Sequence, residues 1–236
     1  MRQVIQSSAA IFIAVSTTFA IAGGFDYAKE DLNGYSLQPD FRVHDQSDFS
    51  RDGTDFYFFG GYVYTDRFLS NKTLTVTNPT GSYAYVPKQV YPSTFNGFQV
   101  GVGKEWGRHI DFQLAYLQHF LATRSGINAG NTFNTSVKLN GVLMDVGYVF
   151  NPDDQFEVMV KGGAMVAEYY NKFTLTGTPY YTTTNSTKID PAAGLDFIFQ
   201  CNRSVALRLS TVYIADTQTS LSSGELNLMA GLSYTL

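Results

Sequence analysis

The last eleven residues, Leu226-Asn-Leu-Met-Ala-Gly-Leu-Ser-Tyr-Thr-Leu236, alternate between apolar and small or polar side chains. Leu226, Leu228, Ala230, Leu232, Tyr234 and Leu236 share one parity, and Asn227, Met229, Gly231, Ser233 and Thr235 the other. A period of two puts the sets on opposite faces of a strand. A long apolar strand left at a sheet edge in water invites aggregation. The same strand is safe in a closed barrel in lipid, where the last strand pairs with the first and every backbone group is satisfied.

Residues 1–22 read as an export signal. Arg2 supplies the positive start, Ala9-Ala-Ile-Phe-Ile-Ala-Val15 the apolar core, and Ala20 and Ala22 the small residues of a cleavage site. The core is too short to span a bilayer, and no stop-transfer pattern follows. No Cys follows the cleavage site, so no lipid anchor is expected. Residues 23–53 carry seven acids (Asp26, Glu30, Asp31, Asp40, Asp45, Asp48 and Asp52) against Lys29, Arg42 and Arg51, with no sustained period. They read as a solvated acidic periplasmic segment, the alternative being a plug that enters the barrel.

Charged residues make up only 15% of the chain, against 44% hydrophobic and 15% aromatic. That is thin for a water-facing surface. Beyond residue 22 no stretch approaches 18 uninterrupted apolar residues, so helical spans are not expected. A net charge of −4 argues against nucleic-acid partners. The single Cys201 offers no internal disulfide.

Eight strands are predicted in residues 54–236, at 54–65, 94–106, 110–122, 136–150, 156–169, 187–200, 204–215 and 225–236. The gaps after the second, fourth and sixth are short, and those after the first, third, fifth and seventh are longer and rich in Ser, Thr, Asn and Gly. Short turns on one side and long loops on the other describe an all-β, eight-stranded antiparallel up-and-down transmembrane barrel with both termini on the short-turn side. One face is nearly free of charge: Phe98, Val100 and Val102; Ile110, Phe112, Leu114 and Tyr116; Val142, Met144, Val146 and Tyr148; Leu195, Phe197 and Phe199; Val205, Leu207, Leu209 and Tyr213. The opposite face mixes Gly and Ala with isolated charges, as a narrow lumen would. The first strand, Asp55-Phe-Tyr-Phe-Phe-Gly-Gly-Tyr-Val-Tyr64, is aromatic on both faces, so periodicity alone does not orient it. Trp106, Tyr148, Phe150, Phe199 and Tyr234 at one end, and Tyr64, Phe120 and Tyr213 at the other, suit interface girdles.

The terminal strand, the export signal, the strand count and the loop alternation together resemble the small outer-membrane β-barrel families of Gram-negative bacteria, the OmpA-type, OmpX-type and opacity-type surface proteins. The chain departs from them in ending on Leu236, where such strands usually end in Phe. The resemblance covers residues 54–236 and implies a place in the bacterial outer membrane. It also implies contact with lipid and lipopolysaccharide, and insertion by the barrel-assembly machinery. Families of this kind anchor the envelope, bind host or environmental surface ligands through loops, or pass small solutes. No wall-anchoring domain is expected beyond Leu236.

The function expected first is therefore a surface protein, structural, adhesive or ligand-binding, whose long loops sit on a rigid scaffold. The loop at 66–93 brings Tyr83, Tyr85 and Tyr91 as candidate ligand contacts. A small-solute porin-like channel is the alternative, and a lipid-modifying envelope enzyme a distant one. Barrel deacylases place a His two residues before a nucleophilic Ser; here His119 precedes Phe120 and Leu121, and Ser125 is too far along. No catalytic residue, cofactor or metal ligand is assigned.

Turn arithmetic brings charges together in the lumen. Pairing Phe150 with Phe156 sets Asp145 opposite Lys161, and pairing Gln200 with Ser204 sets Asp196 opposite Arg208. Pairing Trp106 with Ile110 sets Glu105 opposite Asp111, two acids that repel unless a cation or water intervenes. The six residues make up a lumen polar network, and the two opposite-charge pairs are expected to form a polar plug with little conductance, rising when Lys161 or Arg208 is replaced by Ala.

Overall fold

The computed structural model describes residues 55–78, 81–128, 130–152, 154–176, 181–217 and 221–236. The readings for residues 1–22 and 23–53 lie outside them. The elements begin with β1 (Phe56–Leu69), a small hairpin of β2 (Leu74–Asn78) and β3 (Gly81–Tyr85), and the single turn α1 (Pro87–Val90). Then come β4 (Thr94–Trp106), β5 (Ile110–His119), β6 (Ala122–Asn128) and β7 (Asn131–Val149). The chain finishes with β8 (Phe156–Leu175), β9 (Tyr181–Gln200), β10 (Val205–Ala215) and β11 (Ser222–Thr235).

Eight antiparallel strands close the wall. Neighbours pair in the order β5-β4-β1-β11-β10-β9-β8-β7, and β5 pairs with β7 to complete the ring. The terminal strand closes on the first, from Tyr57 opposite Thr235 up to Leu69 opposite Ser222, with a bulge before Leu69. Its final amide also donates to Phe56 O at 3.0 Å. The expected apolar face is the outer one: Val100, Leu114, Met144, Val146, Leu232 and others stand exposed in a belt. Such a continuous apolar surface marks a barrel that sits in lipid.

Several strands are longer than the alternation suggested. β7, β8 and β9 run 19, 20 and 20 residues, so what reads as loop after the third and fifth strands is ladder. Thr, Asn and Lys dominate there, with apolar residues such as Phe133, Phe173 and Leu175 on the inward side only, and the period-two signal fades above the belt. The expected strand 110–122 instead breaks at Phe120-Leu121 and resumes as β6, which pairs only with the upper part of β7. A four-stranded flap of β6, β7, β8 and β9 therefore stands beyond the apolar belt.

The first strand orients once its neighbour is known. Tyr57 and Phe59 point inward, and their direct partners on β4 are Gly103 and Gly101. A Cβ on either glycine would collide with the ring opposite it. Glycine on β4 thus makes room for aromatics on β1.

Two of three short turns shift the register. The turn at 107–109, with Gly107 at φ 68°, keeps Trp106 opposite Ile110. At the next, Asn151 Oδ1 accepts from the Val158 amide at 2.8 Å and Asn151 Nδ2 donates to Phe156 O. The Phe150 amide donates to Val158 O, so pairing starts two residues later than expected. At the third, Asn202 Oδ1 accepts from the amides of Ser204 and Val205, with the same two-residue effect. Asn side chains that mimic backbone in turns are the cause.

Candidate functional site

The lumen is filled in layers. Nearest the short turns lies an apolar floor of Val149, Met159, Ile198 and Ala206. Above it comes a charged layer. The shift in register places Lys161 opposite Gly147 and Gly194 instead of Asp145, and Arg208 opposite Ile198 instead of Asp196. The long side chains nevertheless reach their diagonals. Lys161 Nζ lies 3.7 Å from Asp145 Oδ2 and 3.0 Å from Asp196 Oδ1. Arg208 donates through Nε to Asp196 Oδ2 at 2.9 Å and through its terminal nitrogen to the same oxygen. Asp196 is thus clamped between two cations, with Asp196 0% and Arg208 1% exposed.

Aromatic and amide groups extend this layer across the lumen. Arg208 stacks its guanidinium 4.5 Å from the Phe59 ring centroid. The Tyr57 hydroxyl donates to the Asp111 carboxylate at 2.8 Å and accepts from Gln113 Nε2 at 2.9 Å. Lys161 Nζ donates to Gln113 Oε1 at 3.4 Å. Glu105 does stand opposite Asp111 on the ladder, but Asp111 is buried under Tyr57 while Glu105 is half exposed. Three carboxylates (Asp111, Asp145, Asp196) therefore meet two cations (Lys161, Arg208).

An apolar band follows, including Val63, Leu117, Leu139, Met165 and Ile214. Above it lies a second charged layer. Asp216 Oδ1 meets Lys188 Nζ at 3.2 Å, and its other oxygen accepts from Ser222 at 2.5 Å and lies 3.8 Å from Arg67. Tyr169 donates to Asp190 at 3.2 Å, and Lys188 sits over the Tyr169 ring. Glu225 is buried beside them. Sequence reasoning missed this layer because it ended the first strand at 65 and the seventh at 215, which left out Arg67 and Asp216. Extending the parity of Asp196 down to Lys188 and Asp190 was the available signal. His119 also points inward, with Nε2 2.5 Å from Thr65 Oγ1, which donates to Asn227 at 2.5 Å.

The loop at 66–93 closes the mouth. Tyr83, Tyr85 and Tyr91 do not present themselves to solvent; all three are buried. Tyr83 and Tyr85 each lie 5.4 Å from the ring of Phe173, and Tyr85 meets Tyr91 edge-on. Leu69, Val90, Phe95, Phe133, Val137 and Leu175 complete this cluster. Polar ties hold it: Thr135 Oγ1 donates to Val90 O at 2.6 Å, and Arg124 donates to Lys88 O and Tyr91 O at 3.0 and 3.1 Å. Exposed contact with a ligand is thus not open to these tyrosines. The hydrophobic gain of covering the mouth is the reason.

The outer face of the flap is different. Its rows run Val142–Val166–Ile189 at the edge of the belt, then Asn140–Glu168–Thr187, then Lys138–Tyr170–Asn185, then Ser136–Lys172–Thr183. Apolar gives way to polar within one row, and the polar rows continue for about 25 Å along the strands.

No family model and no curated protein matches the sequence. Among solved structures, the chain resembles Ail, the attachment invasion locus protein of Yersinia pestis, with a TM-score of 0.51 at 14% identity, covering 78% of this chain and 99% of that one. It resembles the outer membrane protein OprG of Pseudomonas aeruginosa equally in shape, with a TM-score of 0.51 at 11% identity and coverage of 78% and 96%. These likenesses establish the fold as that of the small outer-membrane β-barrels.

Proposed function

We propose that this chain, which folds as the small outer-membrane β-barrels do, is a surface protein of the bacterial outer membrane that binds host or environmental ligands with the outer face of its flap. One observation carries the reading: the lumen is filled from floor to cap, while β6, β7, β8 and β9 raise a polar sheet beyond the apolar belt. A rigid sheet held clear of the membrane suits recognition. Ail is named for attachment and invasion; a shared fold alone does not carry that role across, so the reading rests on the flap. With the lumen occupied, passage of solutes is the weaker use of this barrel.

The test compares cells displaying the intact protein with cells whose β8–β9 hairpin is shortened to the belt, on arrays of immobilised glycans and matrix proteins. Binding lost with the hairpin, while the barrel keeps its heat-modifiable gel mobility, supports the proposal. Equal retention of both strains on every surface counts against it. A large stable conductance of the intact protein in planar bilayers favours a solute channel instead.

A further inference from the structure

The belt is not uniformly convex. On its outer side, near the short turns, a groove of about 340 Å³ opens to the lipid between β4, β5, β7 and β8. Its walls are Val102, Phe112, Leu114, Met144 and Val146, all exposed and apolar. Its depth comes from Gly162, which stands opposite Val146 in the outward row where a side chain would otherwise project. A Cβ built on Gly162 meets nothing nearer than Ala192 O at 3.9 Å, so the glycine is not required by crowding. The volume falls within the range of small-molecule sites, about 300–1,000 Å³.

A cation borders this groove. Lys104 is exposed on the same outward row, opposite Phe56 and Phe112, one outward position in from Trp106. Its Nζ lies 4.6 Å from the Phe56 ring centroid, and among the described residues no carboxylate pairs with it. An ammonium on a lipid-facing wall reaches for the headgroup level and for negative charge.

We infer that this groove is a binding site for an anionic glycerophospholipid of the periplasmic leaflet, its phosphate paired with Lys104 and an acyl chain laid over Gly162. The site rests on the reading of the chain as an outer-membrane barrel. Position decides the occupant: the groove opens only to lipid, and its charged margin lies at the short-turn interface. Charge complementarity selects the anionic class.

Trp106 is the chain's only tryptophan, and its ring lies 5.9 Å from that of Phe112 at the groove margin. Its fluorescence therefore reports the lipid beside the site. The purified barrel is reconstituted in phosphatidylcholine vesicles containing equal mole fractions of either dibrominated phosphatidylglycerol or dibrominated phosphatidylcholine. Quenching by the anionic lipid is expected to correspond to about two- to fivefold enrichment, the range of one partly screened ion pair. Lys104→Gln should equalise the two lipids, and Gly162→Leu should reduce the preference while keeping the charge. Equal quenching in the unaltered protein, or a preference that survives Lys104→Gln, overturns the site. A preference lost in Lys104→Gln but intact in Gly162→Leu overturns the groove. Quenching by neither lipid overturns the membrane reading itself.

Discussion

Lys161 and Asp196 meet at 3.0 Å although neither stands opposite the other: the ladder sets Lys161 against Gly194, and Asp196 against Met159 and Ser210. Because Asp196 is also held by Arg208, the carboxylate has two cations and no exposure to water.

Breaking this arrangement on one side strands a buried charge. Arg208→Ala is expected to destabilise the folded barrel by about 3–5 kcal/mol. Arg208→Met combined with Asp196→Asn should cost less than the single change, because the carboxylate that Arg208 holds is removed together with it. Urea unfolding in detergent or vesicles checks both. A double variant weaker than Arg208→Ala would show that the pair contributes net attraction beyond its own desolvation.

How far the sequence alone led is clearest at these residues. The inward parity of Asp145, Lys161, Asp196 and Arg208 was legible from alternation, because a two-residue slip preserves the face. Which residue opposes which was not, because Asn151 and Asn202 use side-chain hydrogen bonds to lengthen their turns. Outward positions such as Met144 and Leu207 were legible for the same reason as the terminal strand. The aromatic cap was not. Tyr83, Tyr85 and Tyr91 read as loop contacts because their partner, Phe173, comes from a strand extension whose apolar alternation, Phe173 and Leu175 against Lys172 and Thr174, is only two residues deep.

Replacing Lys161 or Arg208 reads from sequence as enough to open a pore. The structure adds an apolar band, a second charged layer and a cap above that plug. Arg208→Ala alone is therefore expected to stay closed in planar bilayers. Measurable conductance should require a second lesion, such as removal of residues 70–93. Openings from Arg208→Ala by itself would show that the upper layers do not seal.

The belt makes a depth-dependent prediction on a single strand. Met144 and Tyr148 share the outward face of β7, with Tyr148 near the short-turn end and Met144 four residues deeper. Met144→Arg should cost about 2–4 kcal/mol and Tyr148→Arg about 0–1 kcal/mol, since charge is tolerated at the interface and not at the midplane. Reversible unfolding in vesicles measures the difference. Equal costs at the two positions would mean that the belt is misplaced along the strand.

The last prediction joins β1 to β4. Tyr57 lies flat over Gly103, its direct partner, and from there its hydroxyl reaches Asp111 and Gln113. A side chain at position 103 strikes the ring and lifts the hydroxyl from both contacts. Gly103→Val is expected to cost about 1–3 kcal/mol through overpacking, with more lost as the Asp111 carboxylate loses its donor. Tyr57→Ala should cost about 3–5 kcal/mol as a cavity in the lumen. Combined, the two changes should cost less than their sum by about 0.5–3 kcal/mol, because the valine enters space the ring has left. Strict additivity in a double-mutant cycle of unfolding free energies would mean that Gly103 is set by the backbone and not by Tyr57.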